Sequence, residues 1–409
     1  MKEHLNVGVI GLGGRGIGLL QLVMYRMKDI TVTAVCDVYE DRIEQAQKLA
    51  KKMRRSEPKG YTDYHEILND KSIDAVIITA SWSAHSKIAL DAMRAGKPVG
   101  MEVGGAYTVD ECWDLVNCYE ETKTPFMMLE NCCYGEYELA VLRMVREGIF
   151  GDVVHCGGGY KHDLRYEVSF GEKNRHYRLH EYMTRNCENY PTHEIGPIAK
   201  VLNINYGNRM VSLTSTASCS KGLHRYIIDR MDKYDNLKKL KDVEFAQGDI
   251  VTTVIKCANG ETISIQLDTT LPRMYSRGFE VHGTKAYYTE DGNTFVNDNH
   301  NLKYEGIKSS GKKMVKKYRH PIWKWFKRFG VKGGHGGMDW LVFKAFFDAV
   351  RKGDGHTPID VYDAACWMAI TALSAQSIEN NSACVEFPDF TRGEWKTRKQ
   401  QGEGMFFLE

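Results

Sequence analysis

The chain has 409 residues, 43% of them hydrophobic and 26% charged, which is the balance of a globular protein with room for two or three domains. A net charge of +2 gives no general attraction to nucleic acid or an anionic membrane, and no apolar run approaches the ~20 residues of a membrane span. The 11 cysteines are odd in number and scattered, with no C-x-x-C pair, and predict a reduced, cytosolic chain.

Met1-Lys2-Glu3-His4 runs directly into a strand, so the sequence as it stands predicts a cytoplasmic protein. An export signal trimmed from a longer precursor, and hence a periplasmic protein, is the alternative. The first strand, Val7 to Ile10, ends in Gly11-x-Gly13-x-x-Gly16, and a helical apolar pattern starts at once (Ile17, Leu19, Leu20, Val23, Met24). Strand, glycine turn and helix in that order suit a dinucleotide. Gly11 allows the tight turn, Gly13 lets the backbone approach a pyrophosphate, and Gly16 lets helix and strand pack closely. The helix start then offers N–H groups to the phosphates. A second strand, Thr31 to Cys36, ends at Asp37, 21 residues beyond Gly16. An acid there accepts hydrogen bonds from ribose hydroxyls and repels a 2′-phosphate, which favours NAD over NADP.

A charged amphipathic helix follows, from about Tyr39 to Met53. Asp74 to Ala80 is continuously apolar, as in a strand buried on both faces. It leads into Ser81-Trp82-Ser83-Ala84-His85 and a helix to about Ala95. The strand Lys97 to Glu102, a helix from about Thr108 to Lys123 and the strand Pro125 to Leu129 complete this part. Ligands of such sheets sit beyond the strand carboxyl ends, here Gly11, Asp37, Trp82 to His85, Glu102-Val103 and Glu130-Asn131. Cys132 and Cys133 are read as packing residues. Near residue 150 the pattern turns to alternation: Gly151 to Cys156, Val251 to Cys257, Thr262 to Leu267, Gly278 to His282, Ala286 to Thr289. Alternation predicts a sheet with one covered face. The fold expected is therefore α/β: an N-terminal Rossmann dinucleotide-binding domain over 1–130, then an α+β domain over 131–409 with a large open, mostly antiparallel sheet. Helices are expected at about Asp339 to Lys352 and Val361 to Ile378. Between Lys308 and Lys332 lie ten Lys or Arg and no acid, interleaved with Tyr318, Trp323, Trp325 and Phe326. This run is read as a solvated loop that packs its aromatics on the body.

The densest polar cluster is Tyr160-Lys161-His162-Asp163-Leu164-Arg165, then Arg178, then Tyr190-Pro191-Thr192-His193-Glu194. Oxidising an alcohol beside a nicotinamide needs a base for the hydroxyl proton. His193 suits this, since imidazole titrates near neutrality. Tyr160 and Tyr190 carry protons if neighbouring cations lower their pKa. His155, Cys156, His162 and His193 match no zinc spacing, so no metal is expected.

The N-terminal pattern, Ser81 to His85 and Gly96 to Glu102 resemble the Gfo/Idh/MocA oxidoreductases. Most dehydrogenases of that family carry Glu-Lys-Pro after this strand, with the lysine as acid/base. Here Glu102-Val103-Gly104 lacks it. Glu102-Val103, Glu130-Asn131, Tyr160-x-His162-Asp163-Leu164-Arg165, Tyr190 to His193, Pro272-Arg273-x-Tyr275-Ser276-Arg277 and Gly334-His335-Gly336-Gly337-Met338-Asp339 together resemble glycoside hydrolase family 109. Its members are NAD-dependent glycosidases, typified by α-N-acetylgalactosaminidase. The resemblance implies NAD held by Gly11, Gly13, Arg15, Gly16, Asp37, Trp82 to His85, Glu102, Val103 and Asn131. It implies a sugar, or a glycoconjugate, at Tyr160, Arg178, Tyr190, His193 and Tyr275, with Glu130, Tyr160, Tyr190 and His193 as the catalytic set. It also implies a redox route: C3 oxidation, loss of the acidified C2 proton, elimination, water addition and re-reduction, outside the usual two-carboxylate scheme. By analogy the open sheet makes a homodimer. No nucleic-acid partner and no membrane span are expected. The sequence departs from the family at Glu194-Ile195 (usually Gly-Leu), Cys187-Glu188-Asn189 (Gly-Asn-Leu) and Gly104-Gly105 (Pro-Ala). The family's twin-arginine signal is missing. A sugar or inositol dehydrogenase that releases NADH is the rival reading, and an NAD-binding sensor without turnover is another.

Overall fold

The computed structural model describes residues 2–298, 310–400 and 404–408. The chain forms two compact units. The first takes Met1–Gly135, Pro321–Cys366 and Lys399–Glu409; the second takes Glu136–His320 and Trp367–Arg398.

In the first unit six strands lie parallel: β1 (Leu5–Ile10), β2 (Ile30–Cys36), β3 (Lys59–Tyr61), β4 (Ala75–Ile78), β5 (Val99–Met101) and β6 (Phe126–Met128). Their spatial order, β3-β2-β1-β4-β5-β6, is that of a Rossmann dinucleotide fold. β4 is the apolar run Ala-Val-Ile-Ile, fully buried because crossover helices cover both faces. The helix Val109–Thr122 starts in a capping box, Thr108 with Glu111, and stops at Lys123 in the left-handed region. Gly100 lets the late helix Met338–Lys352 close on the sheet, since a Cβ there would lie 2.9 Å from Ile77 and 3.1 Å from Phe346. The segment before the helix Val361–Glu379 guards the edge of β6. Met128 N–H donates to Ile359 O at 3.1 Å, and Thr357 Oγ1 donates to Phe126 O at 2.6 Å.

Among the described residues the second unit holds eight strands: β7 (Val153–Lys161), β8 (Met210–Ala217), β9 (Ile250–Cys257), β10 (Thr262–Asp268), β11 (Glu280–Gly283), β12 (Ala286–Thr289), β13 (Thr294–Asn297) and β14 (Val385–Glu386). Their order is β13-β12-β11-β7-β10-β9-β8-β14. Every neighbouring pair is antiparallel except β7 and β10. In β9 the residues Val251, Thr253, Ile255 and Cys257 turn inward while Thr252, Val254 and Lys256 face out. The helix Thr192–Val201 packs on β7, and Ser377 Oγ accepts from Ser215 N–H of β8 at 2.8 Å.

Two expectations change. β7 does not stop at Cys156 but runs on to Lys161, so Tyr160 stands on the strand. The triplet Gly157-Gly158-Gly159 conceals this, because glycine is a poor strand former. The structure needs it: a Cβ on Gly157 would lie 2.6 Å from Glu280 Oε1, and one on Gly158 2.9 Å from Glu194 Cβ. The basic run is also not a loop. Its start, 308–309, lies outside the described residues; the rest forms the helices Gly311–Lys317 and Pro321–Phe329. In the second helix Ile322, Trp323 and Phe326 are buried while Lys324, Lys327 and Arg328 face out. That is an amphipathic period, masked by the clustering of charge. The aromatics do pack inward, as expected. All 11 cysteines are free, and nine, Cys132 and Cys133 among them, are buried as packing groups. No helix among the described residues is long and apolar enough to cross a membrane.

Candidate functional site

In the first unit the glycine turn forms as the sequence predicts. Gly11 has φ +98, open to glycine alone, and its N–H donates to Cys36 O at 2.8 Å. A Cβ on Gly16 would collide with the Gly11 carbonyl oxygen and Thr79 Oγ1. Thr79 Oγ1 donates to the same Gly11 oxygen. Gly13 is the N-cap of the helix Gly14–Leu22, so the helix start points out of the turn. Asp37, buried at the end of β2, accepts from Leu12 N–H (2.7 Å) and Tyr39 N–H (3.0 Å).

Arg15, Glu102 and Asn131 are joined by a residue that sequence reasoning left outside the cofactor set, Asp339. Arg15 donates to both Asp339 oxygens at 2.9 Å and to Glu102 Oε1 at 2.9 Å. Asn131 Nδ2 donates to Asp339 Oδ1 at 2.7 Å, and His335 Nδ1 lies 2.9 Å from Oδ2. Burial alone would raise the Asp339 carboxyl. Hydrogen bonds from His335 and Arg15 outweigh it and hold the group well below the usual carboxylate range. The signal was present as the Gly334 to Asp339 motif, but nothing in spacing ties position 339 to position 15.

Trp82 and His85 follow β4 and are both buried. Gly104 makes room for the indole, since a Cβ there would sit 2.6 Å from Trp82 Cδ1. Burial pushes the His85 imidazole down to about 4, so it is neutral, with Nε2 placed 3.0 Å from Ala80 O. Its Nδ1 is then a buried acceptor without a hydrogen-bond partner among the described residues. Val103 is buried. Glu130 caps the short turn Asn131–Tyr134, accepting from Cys132 N–H at 2.9 Å. The open turn, the acid at β2 and the orphaned His85 acceptor fit a dinucleotide.

In the second unit the sugar residues predicted from the sequence converge. Tyr160 and Tyr190 have ring centres 4.4 Å apart, and His193 lies 5.7 Å from Tyr160 and 4.8 Å from Tyr190. Tyr190 OH and His193 Nε2 are 3.3 Å apart. Tyr160 OH lies 3.1 Å from His162 Nδ1, and Tyr275 closes on that imidazole at 5.1 Å. Arg178 stacks on Tyr190 at 5.1 Å and ion-pairs with Glu167. His162 and Glu167 are the partners that the sequence-based set omits. Burial lowers the His162 imidazole, and Arg178 adds to this.

The condition set for Tyr160 as a proton carrier, neighbouring cations that lower its pKa, is not met. Burial raises it more than Arg178 lowers it, and the group is pushed up to about 12. Tyr160 is therefore a neutral phenol at neutral pH. Glu194 is buried against Gly158 rather than open to solvent. Arg277 is interior, paired with Glu138 and Glu290, and so anchors the segment that carries Tyr275.

Comparison with known proteins adds the family. The model "Glycosyl hydrolase 109, C-terminal domain" matches residues 134–397. The chain belongs to glycosyl hydrolase family 109. The family member's residues 5–129 match "Oxidoreductase family, NAD-binding Rossmann fold", so the first unit carries the fold of a nicotinamide-dinucleotide cofactor. Among its relatives is an α-N-acetylgalactosaminidase of Tannerella forsythia, 41% identical over 97% of this chain and 88% of the relative. A glycosyl hydrolase family 109 protein of Stenotrophomonas maltophilia is 40% identical over 97% of this chain and 91% of that one. An α-N-acetylgalactosaminidase of Shewanella oneidensis is 36% identical over 98% and 88%. In fold this family 109 enzyme is similar to a levoglucosan dehydrogenase solved with NADH and L-sorbose. The TM-score is 0.68 at 17% identity, covering 95% of this chain and 100% of that one.

Proposed function

We propose that this enzyme is an NAD-dependent glycosidase that releases the aglycone of α-N-acetylgalactosaminides by transient oxidation and elimination. The observation that carries the reading is the Tyr160–Tyr190–His193 set, with its hydroxyl and imidazole pairs, in a chain where Val103 replaces a dehydrogenase's lysine. The family and the two relatives named α-N-acetylgalactosaminidase support the substrate class.

In this reading the first unit holds NAD and the second the sugar. The Gly11 to Gly16 turn receives the pyrophosphate and Asp37 the ribose hydroxyls, which favours NAD. Arg15, Trp82, His85, Glu102, Val103 and Asn131 line the remaining cofactor positions. NAD supplies the acceptance of a hydride from C3 and its return at the end of the turn. The protein's residues move the protons. Arg178 and Tyr275 orient the sugar. His193, bonded to Tyr190, takes the C3 hydroxyl proton, releases it to solvent, and then takes the C2 proton that a C3 ketone acidifies. Tyr160, a phenol at working pH, protonates the departing glycosidic oxygen. Glu130 assists as a further carboxylate of the set. Water then adds at C1, giving a proton back to Tyr160, while His193 delivers a solvent-exchanged proton to C2; the C3 oxygen regains a proton from solvent as the hydride returns.

Aryl glycosides of both anomers test the reading, with absorbance followed at the aglycone and at NADH. The expected result is aglycone release from the α-N-acetylgalactosaminide with no net NADH. Steady NADH formation from free sugar without aglycone release would replace it with the dehydrogenase reading, and NAD binding with neither signal with the sensor.

A further inference from the structure

Arg42 stands in the first turn of the helix Glu40–Lys52. Its Nη1 lies 3.7 Å from Asp37 Oδ2, and its guanidinium sits 4.8 Å from the Tyr39 ring centre. A Cβ placed on Gly13 would be 3.9 Å from the same Nη1. The side chain is 16% exposed. A largely covered cation therefore stands between the acid at the end of β2 and the middle glycine of the turn. Asp37 meanwhile serves the backbone first, with both oxygens accepting N–H groups.

In dinucleotide folds an acid here accepts from the ribose hydroxyls, and an arginine nearby accommodates the 2′-phosphate that distinguishes NADP. This chain has both. A carboxylate alone repels a 2′-phosphate. A guanidinium within 4 Å of that carboxylate offsets the repulsion and offers the forked donors that phosphate oxygens match. We propose that Arg42 is a preformed contact for a ribose 2′-phosphate, so that Asp37 sets the preference for NAD while Arg42 keeps NADP as a second, weaker cofactor. The inference rests on the reading that the Gly11 to Gly16 turn holds a dinucleotide.

The test is calorimetric titration of the full-length protein, freed of dinucleotide, with NAD and with NADP. Wild type binds both, NAD more tightly. Arg42→Ala weakens NADP roughly ten- to hundredfold, the effect of losing one hydrogen bond to a charged group, and weakens NAD far less. Asp37→Asn improves NADP affinity, and the gain vanishes in Asp37→Asn/Arg42→Ala. Equal weakening of both dinucleotides by Arg42→Ala overturns the inference, as does a gain that survives in the double variant. Should Asp37→Asn not fold, the Arg42→Ala pair of titrations decides alone. A wild type that binds NAD but shows no NADP heat at millimolar concentration also overturns it. A wild type that binds neither removes the dinucleotide reading itself.

Discussion

Asp339→Ala removes the acceptor shared by Arg15, Asn131 and His335. Breaking a buried ion pair by deleting one partner costs about 3–5 kcal/mol. Here the cost is smaller, because the Arg15 side chain is 33% exposed and keeps Glu102 as a second partner. About 2–3 kcal/mol remains, a shift of roughly 4–12 °C for a transition of this size. The chain has two units, so the calorimetric trace must be read by component. The same change releases the Arg15 side chain, which springs from the glycine turn, from Asp339 and Asn131, so dinucleotide affinity falls in parallel. Asp339→Asn, which keeps the shape, loses less of both. The pH dependence follows from the depressed carboxyl. Its contribution is complete above the ordinary carboxylate pKa of about 4 and is lost as pH falls below that value. Wild type therefore loses the advantage in acid, and Asp339→Ala has a flatter acid limb. An alanine variant with unchanged melting temperature and unchanged NAD affinity would refute the assignment of Asp339 as the tie of this site.

Three further outcomes are expected. Tyr160→Phe keeps the ring stack and loses the hydroxyl bonded toward His162; turnover falls ~10²–10⁴-fold while NAD binding persists, and near-normal kcat would move the acid elsewhere. His193→Ala does the same at the base, with folding checked by circular dichroism. Gly11→Ala forces a Cβ into a backbone of φ +98 against Thr79 and Ala80; it lowers stability and abolishes NAD binding, and a variant that still binds NAD normally would show the turn to be dispensable.

The Rossmann half was legible because its signals are local. Gly11 and Gly16 each meet a steric need that the structure displays, and the apolar run in β4 has one reading at that length. The helix at Pro321–Phe329 was equally local, yet its charge density hid its period. Strand β3 is too short, and β14 has only two residues, to show any period. The tail of β7 broke the propensity rule, because its glycines serve neighbours from β10, β11 and the helix Thr192–Val201. The polar cluster of the second unit was found by composition, and its residues do converge. Its pKa logic was not legible, since Tyr160 answers more to burial than to Arg178. Asp339 reaches Arg15 across 324 positions, a distance no motif spacing encodes.

The most direct test of the oxidation–elimination account is hydrolysis in D₂O, with the released sugar examined by NMR or mass spectrometry. If the C2 proton is removed and replaced during each turn, the product carries deuterium at C2. Direct displacement by two carboxylates leaves C2–H untouched. Aglycone release with a C2 position free of deuterium would contradict the account.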